Sequence, residues 1–514
     1  MLGSGKLSYL CLGFSSLLYF MRLQNRIVSG IGWTSLASFG SQGLRLLFKL
    51  LLAKLLLPED YGIIGMAAVF IGFIEVVSEM GMVSALIQRP KNQLNRQHYS
   101  TAFWLNLAIA ILGYALIVTA VSPIAAWFYS EPILNEIMPL LALPLIFNTL
   151  YAIPKARLSK ELKFKPQAFA EIASVLAGGI IATFLAFQDW GVWALAANGV
   201  IVSLVSAAIY WLYSRWLPQL IFSKQAYHQL FDFGSKVLIE RIFHFFTLNV
   251  DYLLIGKLIG GAALGSYTLG FLLTNTVVKQ LTNVINRVMF PAYSSIQKSK
   301  EAIAKYFLSI SKMNQLLVFP LMLGLILLAK PIIRVGFGTQ WMMAVLPLQI
   351  LALATILNGL SANASIIMRS VGRSDLSMKL SISSTLLSTI PAVTIGALLY
   401  GINGAALGIL VDRTFRFFWY QRVVHQLIGV HYSSLLKLAW KPLVACLLIG
   451  ASVKLLYFIH PVSYWPQLLI GGVMISTGYL WYLLSFERKL LDKVLVVTKI
   501  QDKVLSPVSK YINS

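Results

Sequence analysis

The 514-residue sequence predicts an all-α integral membrane protein with about fourteen transmembrane helices. Three observations carry that prediction: the chain is too apolar for water, its apolar residues come in span-length blocks, and its basic residues fall on alternate connections. Hydrophobic residues make up 58% and charged residues 12% of the chain, with a mean hydropathy of +0.76. A chain of this length and polarity buries its surface in a bilayer. The net charge of +24 could suit a nucleic-acid binder, but no extended soluble stretch is available to carry a binding face. Cys11 and Cys446, the only cysteines, offer neither a disulfide framework nor zinc-ligand spacing.

Apolar blocks of roughly 20 to 28 residues, each long enough to cross a hydrocarbon core of about 30 Å, follow one another along nearly the whole chain. The expected spans are 30–57, 62–87, 100–129, 133–154, 168–188, 190–213, 231–258, 264–289, 306–330, 341–368, 379–400, 402–424, 440–459 and 463–485. One set of connections holds Arg22 and Arg26, Arg89 to Arg96, "KARLSKELKFK" (155–165), Arg215 and Lys224, Lys298 to Lys305, Arg373, Arg422 to Lys437, and the tail from Arg488. The intervening set, "PED" (58–60), "SEPILNE" (130–136), "QDW" (188–190), "YGING" (400–404) and "HPVSYWP" (460–466), has almost no Lys or Arg. The excess of cytoplasmic Lys and Arg in membrane proteins then places both termini in the cytoplasm. The exception is the outer connection with Lys330 and Arg334, for which the pattern offers no account.

Ahead of the first span, "LSYLCLGFSSLLYF" is apolar but short and is followed directly by Met21. Met21 is the expected working start, with 1–29 a leader or cytoplasmic segment. After the last span, the basic tail 486–514 reads as an interfacial helix.

One internal repeat orders the spans. "AKLLLPEDYG" (53–62) and "GKLIGGAALG" (256–265) align without gaps at an offset of 203, pairing Lys54 with Lys257 and Gly62 with Gly265. Each segment ends the first span of a six-span block and enters the second. The expected domains are an N-lobe over 30–213, a linker over 214–230 and a C-lobe over 231–424, with two further helices to 485. Six is even, so the lobes share one orientation, an arrangement used by transporters whose site lies between the halves.

Charged residues inside spans 1, 2, 7 and 8 are the candidate site. Arg45 sits near mid-span, where a cation costs roughly 2.5 to 3.5 kcal/mol. Thr34, Ser38, Ser41, Arg45 and Lys49 recur on one helical face. Span 2 adds Glu75 and Glu79; span 7 adds Glu240, His244, Thr247 and Asp251; span 8 adds Asn275, Lys279, Thr282 and Asn286. These charges either pair to lock helices together or line a water-filled cavity. The stripes at equivalent places in both blocks favour the cavity, because buried pairs are a poor route to stability. His244 reads equally as a proton-responsive group or a satisfied interior histidine. Lys54 and Lys257, within a turn of the outer surface, read as snorkelling.

The motifs "LLLPEDYGIIGM" (55–66), "STAFWLN" (100–106), "KARLSKELKFK" (155–165), "GVWAL" (191–195), "FDFGSKVL" (231–238), "VDYLLIGK" (250–257), "FPLMLGL" (319–325) and "VGRSDL" (371–376) together resemble the polysaccharide transporter family. Its members are flippases of lipid-linked oligosaccharides, and the resemblance is nearest the colanic-acid and teichuronic-acid type. It covers roughly residues 25 to 440. The resemblance implies the superfamily of multidrug exporters and peptidoglycan-precursor flippases, two six-helix lobes around a V-shaped cavity, alternating access, and two added C-terminal helices. Lys330, before Pro331, departs from the acidic or neutral residue expected there.

On that resemblance the substrate is a polyprenyl-pyrophosphate-linked oligosaccharide moved from the cytoplasmic to the outer leaflet. Its diphosphate would meet Arg45 and Lys49 with help from Lys279, since guanidinium binds phosphate in a bidentate fork. Ser41, Asn275 and Asn286 would face the sugars. Glu75, Glu79, Glu240 and Asp251 are candidates for proton or sodium coupling, or for balancing the cations. No cofactor or metal is expected: "GSGK" (3–6) lacks the spacing and hydroxyl of a phosphate-binding loop. The expected partners are the lipid-linked oligosaccharide, the bilayer and polysaccharide-assembly proteins such as a polymerase, with no nucleic acid. Two other classes compete. A membrane polymerase or glycosyltransferase would need a sizeable loop domain or a D-x-D metal pair, which the chain lacks; a cation-coupled drug exporter would differ in substrate alone.

Overall fold

In the computed structural model, the residues described are 33–34, 37–78, 82–83, 86, 94–275, 278, 293, 296, 299–361, 363–460 and 463–488; side chains of 224–237, 239–240 and 374 are outside the description. The Met21 start and the interfacial tail beyond 488 therefore lie outside the described residues. Every regular element among those residues is helical, and eleven helices are long and apolar enough to cross a membrane. The chain is a multi-pass membrane protein. Contacts divide it into two compact units, 1–268 and 269–514.

In the first unit, α1 covers 37–55. It is followed by α2 (Pro58–Ser78), α3 (Arg96–Tyr129), α4 (Ile133–Lys160), α5 (Phe164–Phe187), α6 (Val192–Ser214) and α7 (Lys224–Ile259). The next helix, α8 (261–275), begins in this unit. Local chemistry sets the boundaries. The Asp60 carboxylate accepts from the Leu57 N–H at 2.9 Å, closing the start of α2. Asn95 and His98 form a capping box on α3, which ends on Ser130 in the left-handed region at φ 62°. Within α3 a π-helical turn spans Ile117–Val121.

Helix–helix attraction in a membrane comes from close packing of small residues, since lipid is as apolar as the helix faces. At the start of α2 this is extreme. A Cβ on Gly62 would lie 1.8 Å from the Gly261 carbonyl oxygen, and one on Gly265 would lie 1.7 Å from the Pro58 carbonyl oxygen. The repeat-related segments found in the sequence therefore touch each other, backbone to backbone, through the residues the alignment pairs.

The second unit holds α9 (Lys300–Gly336), α10 (Val345–Ser361), α11 (Ala364–Ser370), α12 (Ser374–Ser384), α13 (Ile390–Ile428), α14 (Tyr432–Ile459) and α15 (Tyr464–Phe486). Ser299 caps α9, accepting from the Ala302 N–H at 3.2 Å. A π-helical turn, Thr385–Thr389, joins α12 to α13. Helix α13 is folded on itself at Tyr400 and at Gly401, whose φ of 58° and ψ of −138° suit glycine. Its arms pack so closely that a Cβ on Gly404 would lie 1.8 Å from the Gly396 carbonyl oxygen. The break falls between the expected spans 379–400 and 402–424.

Several helices run past their apolar stretch. The "KARLSKELKFK" segment, expected as a connection, continues α4 to Lys160 and turns only at 161–163. A helix needs hydrogen bonds, not apolar residues, once it leaves the bilayer. Lys330 and Arg334 likewise belong to α9 rather than to a loop, and both lie over the Tyr464 ring, at 5.8 and 4.8 Å from its centroid. Arg334 is in the last turn of α9, at the negative end of the helix dipole, and both cations face an aromatic ring. Lys257 is also more than a snorkelling lysine, for its ammonium donates to the Phe128 carbonyl near the end of α3.

Candidate functional site

The first unit holds the best-formed site. On α1, Ser41 is buried, while Arg45 and Lys49 lie one turn apart and are exposed. Among the described residues neither cation is in an ion pair. The Lys49 carbonyl accepts from the Tyr61 hydroxyl at 3.1 Å, tying α1 to α2.

A polar cavity of about 320 Å³ lies among α2, α3, α4 and α7, lined by Glu75, Asn106, Asn148, Tyr151, Lys155 and Arg241 with apolar neighbours. A hydrogen-bond chain runs through it: the Tyr151 hydroxyl donates to Asn148 Oδ1 at 3.1 Å, and Asn148 Nδ2 to Glu75 Oε1 at 3.5 Å. Tyr151 is stacked on Tyr210, with ring centroids 5.0 Å apart. Asn106 is buried, and its side-chain carbonyl has no hydrogen-bond partner among the described residues. The cavity sits toward the span ends carrying the basic connections, since Glu75 is near the end of α2 and Arg241 opens the apolar part of α7. Two cations, one carboxylate, two amides and a phenol can hold a polar, anionic group inside an otherwise apolar bundle.

The remaining expected site residues are distributed differently. Asp251 is buried and accepts from the Tyr267 hydroxyl at 2.6 Å. His244 is exposed on α7. Asn275 donates to the Phe271 carbonyl and to Thr274 on its own helix. Lys279, Asn286 and Glu79 lie outside the described residues, as does the side chain of Glu240. The structure thus places Glu75 in a cavity with Asn106, Asn148, Tyr151, Lys155 and Arg241, which the stripes missed, and does not place Arg45 among its lining residues. Asn148, Tyr151, Lys155 and Ser159 are spaced 0, +3, +7 and +11 on α4, so the same helical rule applied to span 4 would have found them. Arg241 is one residue off the α7 stripe and had no such signal.

The second unit contains a buried ion pair that no stripe indicated. Arg416 Nε donates to both Asp412 oxygens at 3.0 and 2.9 Å, and Nη2 donates to Thr389 at 2.7 Å and Thr385 at 3.2 Å. Thr389 donates in turn to Asp412 at 2.9 Å. Both threonines come from the π-helical turn.

Comparison with known proteins places this architecture. A family profile described as "Polysaccharide biosynthesis protein" matches residues 51–346, more than half the chain. The chain belongs to that family. Its relatives include the teichuronic acid biosynthesis protein TuaB of Bacillus subtilis (strain 168), 29% identical over 69% of this chain and 73% of the relative. The lipopolysaccharide biosynthesis protein WzxC of Escherichia coli (strain K12) is 25% identical over 82% of this chain and 86% of that one. The succinoglycan biosynthesis transport protein ExoT of Rhizobium meliloti (strain 1021) is 23% identical over 94% and 97%. Among solved structures, the lipid II flippase MurJ in an inward closed conformation aligns with a TM-score of 0.68 at 19% identity, covering 89% of this chain and 99% of MurJ. An inward-facing MATE family multidrug transporter of the MOP superfamily aligns at 0.58 and 16% identity, covering 76% and 96%. The fold is that of these transporters.

Proposed function

We propose that this family member is a flippase that carries a polyprenyl-diphosphate-linked oligosaccharide from the cytoplasmic to the outer leaflet of a bacterial inner membrane, for assembly of a surface polysaccharide. The observation that carries the reading is the polar cavity within a membrane-spanning bundle, with Glu75, Lys155 and Arg241 on its walls. Relatives named for teichuronic acid, lipopolysaccharide and succinoglycan biosynthesis supply the substrate class.

The chemistry follows from an amphiphile with an anionic neck. A diphosphate is costly in hydrocarbon, and Arg45 and Lys49, which form no ion pair among the described residues, are available as its counter-charge. Hydroxyl and amide groups would take the sugars while the polyprenyl tail stays in lipid. No bond is made or broken, so the protein acts as a transporter rather than an enzyme, with both termini cytoplasmic. Of the acidic groups, Glu75 is the favoured coupling residue: it lines a cavity, whereas Asp251 is already held by Tyr267.

The test is flipping of a fluorescent polyprenyl-diphosphate oligosaccharide in proteoliposomes. Losing one charge-assisted contact to phosphate, worth about 1.5–3 kcal/mol, should slow Arg45→Ala by roughly ten- to a hundredfold. Full flipping by that variant would remove the anion-site assignment.

A further inference from the structure

A second cavity, with a different lining from the polar chamber, lies at the basic end of the first unit. It has a volume of about 610 Å³ and is lined by three arginines, Arg96, Arg157 and Arg215, together with Tyr99, Trp216 and Gln219. Among the described residues, no acidic residue lines it. The Glu161 carboxylate is 3.8 Å from Arg157 and is shared with Lys163 at 2.7 Å. Arg96 and Arg215 form no ion pair among the described residues. The pocket is therefore strongly positive, and Arg96 also stands at the N-terminus of α3, the positive end of its dipole.

The pocket is built rather than incidental. Residues 215–223 run without helix back over the first turns of α3 and are pinned there. The Trp104 indole donates to the Gln219 carbonyl at 2.8 Å, the Gln219 N–H to Ser100 at 3.1 Å, and the Ser223 N–H to Thr101 at 3.0 Å. The Arg157 guanidinium is fixed between rings, 5.8 Å from the Tyr99 centroid and 5.7 Å from that of buried Trp216. Arg215 is the left-handed C-cap of α6, φ 46°, where the chain leaves the helix and turns into the strap.

The same strap says where the ligand comes from. Trp216 turns inward, but Leu217 and Leu220 are 78% and 86% exposed, and Leu212 and Phe222 are also exposed. Apolar side chains flanking a basic pocket at the end of membrane helices suit a site open to lipid rather than to water alone.

We infer that Arg96, Arg157 and Arg215 form a binding site for the phosphate-bearing headgroup of an anionic lipid, distinct from the polar cavity at Glu75. The headgroup phosphate or diphosphate is gripped by guanidinium forks, as arginine does in bidentate phosphate recognition. Its chains lie along the exposed leucines of the strap.

The test is a native mass spectrometry titration of the full-length, delipidated protein with phosphatidylglycerol, a polyprenyl diphosphate, phosphatidylcholine and inorganic diphosphate. It needs no transport, so it stands or falls apart from the flippase reading. At least one anionic lipid should bind about tenfold more tightly than phosphatidylcholine, and Arg96→Gln with Arg215→Gln should remove that preference. Both side chains are exposed, and an unchanged melt checks that the double variant folds; Arg157→Lys, which keeps the charge but loses the fork, should weaken binding of the anionic lipid without changing that of phosphatidylcholine. Preference for phosphatidylglycerol assigns the site to bulk lipid, and preference for the polyprenyl diphosphate assigns it to a cargo-type headgroup. Tight binding of inorganic diphosphate without either lipid, no anionic preference, or a preference surviving the double variant each overturns the inference.

Discussion

Breaking the Asp412–Arg416 pair should destabilise the second unit far more than replacing it. Asp412 is 1% exposed and accepts two bonds from Arg416 and one from Thr389. Arg416 has an 11% exposed side chain and also donates to Thr385 and Thr389. Asp412→Leu leaves a guanidinium enclosed without counter-charge, at a cost of about 3–5 kcal/mol, and Arg416→Met strands the carboxylate at a similar cost. The double substitution removes both charges and leaves two hydroxyls that can bond to their own helix, so its cost should stay within about 1 kcal/mol of the parent. The coupling between the sites is then several kcal/mol, read as the departure of the double variant from the sum of the singles. Equilibrium unfolding in mixed micelles, with thermal melts at one scan rate, measures it. Additive single effects, or a single variant melting with the parent, would show that the charges are hydrated or paired elsewhere and refute the reasoning.

Two further outcomes follow from the fold. Gly62→Ala and Gly265→Ala each place a methyl within 2 Å of a carbonyl oxygen, so each should lower stability by about 1–3 kcal/mol or more; a parental melt for either would show that the helices can part without cost. At the turn after α3, burial and the nearby Glu59 carboxylate hold the Glu131 carboxyl above the usual carboxylate range. The folded chain keeps that proton after the unfolded chain has released it, so stability falls as pH rises from the unfolded value near about 4.3. Melts of the parent and Glu131→Gln should therefore converge in acid and separate at neutral pH with the Gln variant higher, and parallel curves would rule this out.

Much of the architecture was legible because a bilayer imposes length and polarity rules that leave a plain trace. The fold at Tyr400 and Gly401 separated two expected spans where hydropathy dips at "YGING", and the Gly62 and Gly265 repeat proved to be a contact. Helix ends were less legible, since α4 and α9 continue on hydrogen bonds after the apolar pattern stops. The site was legible in part. Periodicity picked out Glu75, which lines the polar cavity, but it could not report rotation between helices, so Arg241 lines the cavity from beside its stripe while Asp251, on the stripe, is buried against Tyr267. The Asp412–Arg416 pair is an ordinary i, i+4 spacing whose burial depends on the α13 arms closing through Gly396 and Gly404.

The contact between Gly62 and Gly261, with Gly265 against Pro58, has a consequence for how the chain can change. At the offset of 203, Pro58 corresponds to Gly261 and Gly62 to Gly265, so each copy presents the same two positions to the other in exchanged roles. That is the isologous arrangement two identical subunits adopt about a two-fold axis. Here it is made by one polypeptide with itself. A surface that must be complementary to its own duplicate cannot gain bulk on one side and yield on the other, because both sides are already backbone. The two repeats differ at Pro58 and Gly261, which meet the partner through backbone alone, and keep glycine at Gly62 and Gly265.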